Sequence, residues 1–147
     1  MRALLQRVTE AKVSVEGRTV GSIGRGLVVL LGVAPEDTQA DIDWLAEKIN
    51  NLRIFDDEDG KMNLSVCDIE GELLVVSQFT LYGDCKKGRR PSWVKAAPPE
   101  FAKDMYEKFT NAVKKGGRPV ANGIFQAEMA VEIHNDGPVT LMIETRE

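Results

Sequence analysis

The run Leu27-Val28-Val29-Leu30-Leu31-Gly32-Val33, opened by Gly26, constrains this chain more than any other segment. It is far shorter than the ~20 residues that a membrane span requires. It fits a strand covered on both faces, so the fold must supply a layer on each side of it. Leu73–Val76 reads as a second buried strand. With 147 residues, one domain has enough chain to bury a core without disulfide or metal staples.

The rest of the chain supplies those layers. Ala3–Val8 and Val13–Val15 read as short strands, and Glu16-Gly17-Arg18 as a turn before a strand at Thr19–Ile23. Pro35-Glu36-Asp37 ends the central run. Thr38-Gln39-Ala40-Asp41 then has the spacing of a capping box. Ile42, Leu45, Ala46, Ile49 and Leu52 follow at helical spacing as one buried stripe. Trp44 lies off that stripe, so it packs on another element or meets a partner subunit. A second helix carries Phe101, Met105, Phe109 and Val113 on one face and is stopped by Gly116-Gly117. Met129–His134 and Val139–Ile143 close the chain as two strands separated by Asn135-Asp136-Gly137-Pro138. The expected fold is a single α+β domain of about seven short, mostly antiparallel strands in two packed, barrel-like layers, with two main helices on one side.

Composition removes several function classes. Apolar residues at 43% and charged residues at 29% exclude disorder, collagen-like repeats and coiled coil. One His and two distant Cys do not make a structural zinc site, which takes about four ligands. A Ser-His-Asp triad would have to use His134, which shares a strand face with Glu132 and reads as a surface residue. No phosphate-binding loop is present, and Gly21, Gly24 and Gly26 read as turn glycines. Asp56-Asp57-Glu58-Asp59-Gly60 is too short for a calcium loop of 12 positions and reads as a solvated turn. Cys67 and Cys85 suit a reducing cytosol. Gln6, Arg7, Thr9, Glu10 and Lys12 stand where a signal peptide would be apolar. A cytoplasmic location follows as an expectation, as does chemistry without metal, cofactor or His base.

Three stretches carry possible chemistry. Ser77-Gln78-Phe79-Thr80 puts three polar side chains at the end of a buried strand, which is costly unless they are paired or used. They either terminate the strand by hydrogen bonding or floor a pocket, with Gln78 and backbone N–H groups on a carbonyl and the hydroxyls beside a reacting ester. Asn135–Thr140 reads as a tight turn, or as a cis Gly-Pro wall of two carbonyls aimed at a ligand. Lys86-Lys87-Gly88-Arg89-Arg90-Pro91-Ser92-Trp93 puts four cations beside an indole. That is either a solvated loop or a surface for a phosphate backbone with a base nearby; Lys114, Lys115 and Arg118 would extend it. With a net charge of −4, affinity for nucleic acid must come from such a local patch.

Together, Ser77-Gln78-Phe79-Thr80 and Asn135-Asp136-Gly137-Pro138-Val139-Thr140 resemble the two signature motifs of the D-aminoacyl-tRNA deacylase family. Gln6-Arg7-Val8, Asn51–Phe55, Lys61–Ser65, Gly88–Ser92 and Gly123-Ile124-Phe125 with Ala127 and Met129 extend the resemblance over the whole chain. It implies a metal-free, cofactor-free homodimer that hydrolyses the ester of D-aminoacyl-tRNA, and of glycyl-tRNA mischarged on tRNA(Ala), with its active sites at the interface. Ser77, Gln78 and Thr80 would form the catalytic floor. Gly137 and Pro138, joined by a cis bond, would enter the partner's pocket, supported by Val139, Thr140 and by Arg7, which would help fix their carbonyls. Phe125 and Met129 would take the terminal adenosine, and Lys86, Lys87, Arg89 and Arg90 the tRNA backbone. The partner so implied is tRNA, not DNA or a membrane. Trp93 stands where the family often has Phe, Gly83 where Ala is common, and Gln126 is bulkier than the usual small residue.

An aminoacyl ester with a protonated amine is already activated, so positioning and oxyanion stabilisation suffice if the substrate's own ribose hydroxyl orients water. Thr80 as a covalent nucleophile ranks second, since no base is placed to deprotonate it. Two other classes remain open: an RNA-binding module without turnover, and a general ester hydrolase built on Ser77 or Thr80.

Overall fold

A computed structural model describes residues 1–146. Strand β1 (Arg2–Val15) is the axis of the fold, followed by β2 (Arg18–Ile23) and β3 (Gly26–Gly32). Helix α1 (Gln39–Asn51), a small hairpin of β4 (Phe55–Asp56) and β5 (Met62–Leu64), and β6 (Glu72–Ser77) come next. A 3-10 turn (Phe79–Tyr82) leads through a long loop to α2 (Pro99–Lys114), β7 (Val120–Asn122) and β8 (Ala130–Glu144).

One edge of β1 pairs antiparallel with β3 along Arg2–Val8 and with β2 along Ala11–Val15, while its other edge pairs antiparallel with β8. β3 and β6 run parallel, as do β6 and β7. The sheet curls until β2 comes up to β7, which only a glycine permits: a Cβ on Gly21 would overlap the Asn122 carbonyl oxygen. Gly21 therefore lies inside a strand, not in a turn, because a neighbouring backbone needs its space.

Alternation along β3 and β6 builds two cores from one sheet. Leu27, Val29, Leu31, Leu73 and Val75 face the helices, where Ile42, Leu45, Ile49, Phe109 and Val113 meet them. Val28, Leu74 and Val76 face inward on Val8, Val13 and Ile23. The expected covering of the Leu27–Val33 run on both faces is thus observed, with both helices on one side. Each such side chain taken out of water contributes roughly 1.5–3 kcal/mol.

The helix ends follow from local chemistry. The Thr38 N–H donates to Asp41 Oδ2 at 2.7 Å, completing the capping box. Burial works against the Asp41 charge, but the hydrogen bonds from Thr38 and the nearby Arg146 outweigh it and hold its pKa below the ordinary carboxylate value. Proline at the first turn opens α2, where its missing N–H has no partner to lose.

The strands differ from the sequence expectation: β4, β5 and β7 have no counterpart in it, and two pairs of expected strands merge. The stretches at Ala3–Val8 and Val13–Val15 belong to one strand of 14 residues. Met129–His134 and Val139–Ile143 likewise merge into β8, of 15 residues. Polar residues at Thr9-Glu10 and Asn135-Asp136 read as strand ends, yet the pairing continues past them with shifted register. Asn135–Pro138 is therefore a bulge and not a hairpin turn. Between the pairs Gln6↔Thr140 and Val8↔Asn135, β1 advances two residues and β8 advances five. Asp136, Gly137 and Pro138 belong to that excess, and they project from the ladder.

Candidate functional site

β6 is buried until Val76 and then releases its chain at Ser77. The Gln78 N–H is held by the Leu31 carbonyl at 2.7 Å, which fixes the turn into Phe79–Tyr82. Beside this turn lies a cavity of about 590 Å³. Its wall takes Ser77, Gln78 and Phe79 from the end of β6, Trp93, Ala96 and Ala97 from the long loop, and Phe125, Gln126, Ala127 and Met129 from the segment before β8. Thr80 lies outside the wall, tied to it by a hydrogen bond in which Gln78 Nε2 donates to Thr80 Oγ1. The hydroxyl of Thr80, having accepted, keeps its own proton for an outside acceptor.

Phe125 leans on Tyr106 with ring centroids 6.1 Å apart and planes inclined at 35°. The Tyr106 hydroxyl donates to the Val75 carbonyl at 2.8 Å and accepts from Asn122 Nδ2 at 2.8 Å. Asn122 also donates to Thr110 Oγ1 at 3.1 Å. Burial pushes the Tyr106 phenol up, so it stays a neutral donor and joins the ring of Phe125 to the strand that ends at Ser77. Sequence reasoning passed over this network; its signal was a tyrosine on the apolar face of α2, where a hydroxyl needs a buried partner. Gln126 adopts a left-handed backbone with φ 65°, uncommon for a residue other than glycine.

The bulge in β8 is assembled away from this cavity. Its Gly137–Pro138 peptide is cis. Arg7, only 7% exposed, donates from Nε to the Asp136 carbonyl at 3.3 Å and from Nη1 to the Ile54 carbonyl at 2.9 Å. The same guanidinium lies 3.0 Å from the Asp136 carboxylate and 3.7 Å from that of Asp56. Arg7 thus grips the bulge at Asp136, one residue earlier than the carbonyls of Gly137 and Pro138 that the resemblance implied. Asn135 Nδ2 closes the grip with bonds to the carbonyls of Arg7 at 3.0 Å and Val139 at 3.1 Å. Val139 is buried in the main core, and the Thr140 hydroxyl accepts from Gln6 Nε2 at 3.2 Å. No residue of this bulge lines the cavity of its own chain, among the described residues.

Lys86, Lys87, Arg89 and Arg90 stand exposed on the loop before Trp93. Arg118 does not extend that patch freely, because its guanidinium holds the carbonyls of Gly71 and Glu70 at 2.8 Å each. His134 lies 3.4 Å from Glu10 on the exposed outer face of β8. Asp57 caps the turn at Asp56–Gly60 by accepting from Asn63 Nδ2 and from the N–H groups of Lys61 and Asp59. Among the described residues, no three His, Cys, Asp or Glu side chains gather in a group able to hold a metal ion. No described helix is long and apolar enough to cross a membrane.

An α+β barrel with a largely apolar cavity beside Ser77 and Gln78, and a strand bulge clamped by a buried arginine, narrows the class, and likeness to known proteins fixes it. Residues 4–144 match the sequence model of the D-Tyr-tRNA(Tyr) deacylase family. The D-aminoacyl-tRNA deacylases of Thermosipho africanus and Fervidobacterium nodosum are 62% and 60% identical over 147 residues, covering 100% of this chain and 99% of theirs. A solved structure named c-Myc DNA Unwinding Element Binding Protein superposes with a TM-score of 0.94 at 45% identity, covering 100% of both chains. A probable eukaryotic D-amino acid tRNA deacylase shares the fold, with a TM-score of 0.83 at 19% identity over 97% of each chain. The chain belongs to the D-Tyr-tRNA(Tyr) deacylase family. Its enzyme class is accordingly that of a hydrolase.

Proposed function

We propose that this protein is a cytoplasmic homodimer that hydrolyses the ester linking a D-amino acid to the 3′-terminal ribose of tRNA, and rejects L-aminoacyl-tRNA. The observation that carries this reading is the content of a single cavity. Ser77 and Gln78 at one part of its wall offer hydrogen bonds to an ester, Phe125 and Met129 at another offer an apolar shelf for a base, and among the described residues no acid, His, Cys, Lys or Tyr lines it. Such a wall suits chemistry by positioning and oxyanion stabilisation.

In this reading Phe125 and Met129 hold the terminal adenine, and Gln78 orients the ester carbonyl. The ribose 2′-hydroxyl of the substrate takes a proton from the attacking water and passes its own proton to the 3′-oxygen. The water oxygen adds to the carbonyl carbon, the tetrahedral oxyanion collapses, and the bond to the protonated 3′-oxygen breaks to release free tRNA and the D-amino acid. The reaction uses no metal. Thr80 supports the amide of Gln78 and is not the nucleophile.

Selectivity belongs to the bulge. Gly137 and Pro138 would reach into the cavity of the partner subunit, where their carbonyls take the volume that an L side chain needs. A D side chain points away, and glycine passes, so glycyl-tRNA(Ala) is also a substrate. Exclusion by clash asks only that the bulge be rigid, which the buried Arg7 supports. The free outer edge of β8 and the exposed Leu141 and Met142 on it suit a second copy of the chain, since an open edge strand invites a covering partner.

The exposed cations at residues 86–90 serve the tRNA backbone. The nucleic acid in this reading is RNA, and duplex DNA is expected not to displace it. Incubating the protein with D-aminoacyl-tRNA, with a simple aryl ester and with uncharged tRNA, each with and without chelator, tests the reading. Chelator-resistant deacylation with the aryl ester intact supports it. Binding without turnover indicates an RNA-binding module, and aryl ester cleavage a general hydrolase.

A further inference from the structure

One aromatic pair in the cavity wall has no part in the hydrolytic scheme. Trp93 is 42% exposed and Phe79 beside it 53% exposed. Their rings meet edge to face, with centroids 5.5 Å apart and planes at 72°. A half-exposed indole ordinarily wanders, but this one is confined. A Cβ built on Gly83 would lie 2.5 Å from Trp93 Cζ3 and 3.0 Å from the Thr80 carbonyl oxygen, so the indole takes most of the space that a side chain at position 83 would need. The Trp here and the Gly there form one steric unit.

The chain around the indole is pinned as well. Asp84 and Ser92 exchange backbone hydrogen bonds of 2.8 and 2.9 Å, and the Ala97 N–H donates to the Val33 carbonyl at 2.9 Å. The first clasp throws residues 85–91 outward as a loop bearing Lys86, Lys87, Arg89 and Arg90, with Trp93 at its root. A rigid aromatic face at the base of a cationic loop is the arrangement by which proteins hold single-stranded nucleic acid, bases stacking on the ring and phosphates meeting the cations.

We infer that Trp93 is the stacking platform for the penultimate nucleobase of the tRNA 3′ end, the one next to the adenosine held by Phe125. Phe79 and the bare backbone of Gly83 fix its plane, and the loop cations meet the adjoining phosphates. Trp93 is in this sense a specificity-determining residue, favouring a polynucleotide over a bare aminoacyl-nucleoside. The inference rests on the D-aminoacyl-tRNA reading and gives that substrate a second base contact.

Two substrates test it: D-tyrosyl-tRNA and 3′-O-D-tyrosyl-adenosine, which lacks the penultimate nucleotide. Trp93→Ala is expected to lose about tenfold in kcat/KM on the tRNA, through KM, with change within about twofold on the adenosine ester. Equal losses on both, or none on the tRNA, overturn the inference. Gly83→Ala is expected to reproduce the tRNA defect, and Gly83→Ala with Trp93→Phe to recover most of it, because the smaller ring leaves room for the methyl group. A Gly83→Ala variant with unchanged KM contradicts the steric unit.

A binding measurement stands apart from turnover and from the folding of the variants. The chain has two tryptophans, so Trp44→Phe leaves Trp93 as the one indole emitter. Saturating cytidylyl-adenosine is expected to quench it, and adenosine alone to leave it unchanged; no quenching by the dinucleotide refutes the platform. Were neither ester hydrolysed by the unaltered protein, the deacylase reading would fail, while quenching would still decide the base contact.

Discussion

Arg7 Nε lies 3.3 Å from the carbonyl oxygen of Asp136 and 3.0 Å from its carboxylate, joining the first strand to the bulge of the last. A guanidinium suits that position because its planar fork serves two carbonyls and two carboxylates at once. Its aliphatic stem is buried, and the group that it anchors is the only part of β8 that leaves the ladder for three residues.

Replacing Arg7 by Ala removes both carbonyl contacts and leaves the acceptors of Ile54 and Asp136 without that donor. Each charged hydrogen bond of this kind contributes about 1.5–3 kcal/mol. A loosened bulge, misplaced by about 1 Å, is expected to cost ~100-fold in deacylation and to raise the rate on L-aminoacyl-tRNA relative to D. Arg7→Lys keeps the charge but cannot serve two carbonyls, so it falls between. Steady-state kinetics on both enantiomers, beside a denaturation curve, separates the lost selectivity from lost stability.

Thr80 receives a hydrogen bond from Gln78 and has no base at its oxygen among the described residues. Thr80→Ala is therefore expected to retain activity within about tenfold, whereas a substrate ending in 2′-deoxyadenosine loses at least about 100-fold, as removal of a general base does. Single-turnover assays on both substrates check this. Abolished turnover in Thr80→Ala with adenosine affinity intact would make Thr80 the nucleophile.

Much of the architecture was legible in the amino-acid pattern. The apolar run at Leu27–Val33, the capping box at Thr38 and the helical stripe from Ile42 to Leu52 are local signals met by the fold, except that Leu52 lies just past the end of α1 and is only partly buried. The unity of β1 and β8 was not legible, because Thr9-Glu10 and Asn135-Asp136 look like breaks wherever only neighbours in sequence are considered. Their pairing is set by the strand opposite. Gly21 was misread for the same reason, since the backbone it accommodates is that of Asn122, more than a hundred residues away. For the site, Ser77-Gln78 stood out as polar residues at the end of an apolar strand. Arg7 carried no local signal, because nothing near it in sequence says that its head will be buried. Ala96 and Ala97 were equally silent, being placed by the loop clasp, while Tyr106 showed itself only as a hydroxyl on the apolar face of α2.

Phe125 is expected to carry the terminal base. Phe125→Ala removes a stacking face that contributes about 1–3 kcal/mol, so KM for D-aminoacyl-tRNA and for D-aminoacyl-adenosine should rise together, with kcat less affected. Tyr106→Phe keeps the ring beneath Phe125 but cuts the bonds to Val75 and Asn122. It is expected to reduce kcat more than KM, as the joined strand carries Ser77.

Acid sensitivity should report the start of α1. The carboxyl of Asp41 has its folded pKa below the ordinary value of 3.8, so folding favours its charged form. Its contribution is full above the unfolded pKa and is lost as pH falls through the folded one. Asp41→Asn is therefore expected to be less stable than the parent at neutral pH, by about 1 kcal/mol for a weakened cap. That gap should close as pH falls through the folded pKa, which lies below 3.8. Urea denaturation across the acid range measures it, and a gap that persists unchanged at low pH would contradict the assignment.

The most direct measurement compares initial rates on D-tyrosyl-tRNA and L-tyrosyl-tRNA, prepared on one tRNA and assayed with one enzyme sample in chelator. The account requires rapid release of D-tyrosine, with L-tyrosine released no faster than in buffer and glycine released from glycyl-tRNA(Ala). Matching rates on the two tyrosyl enantiomers would contradict it.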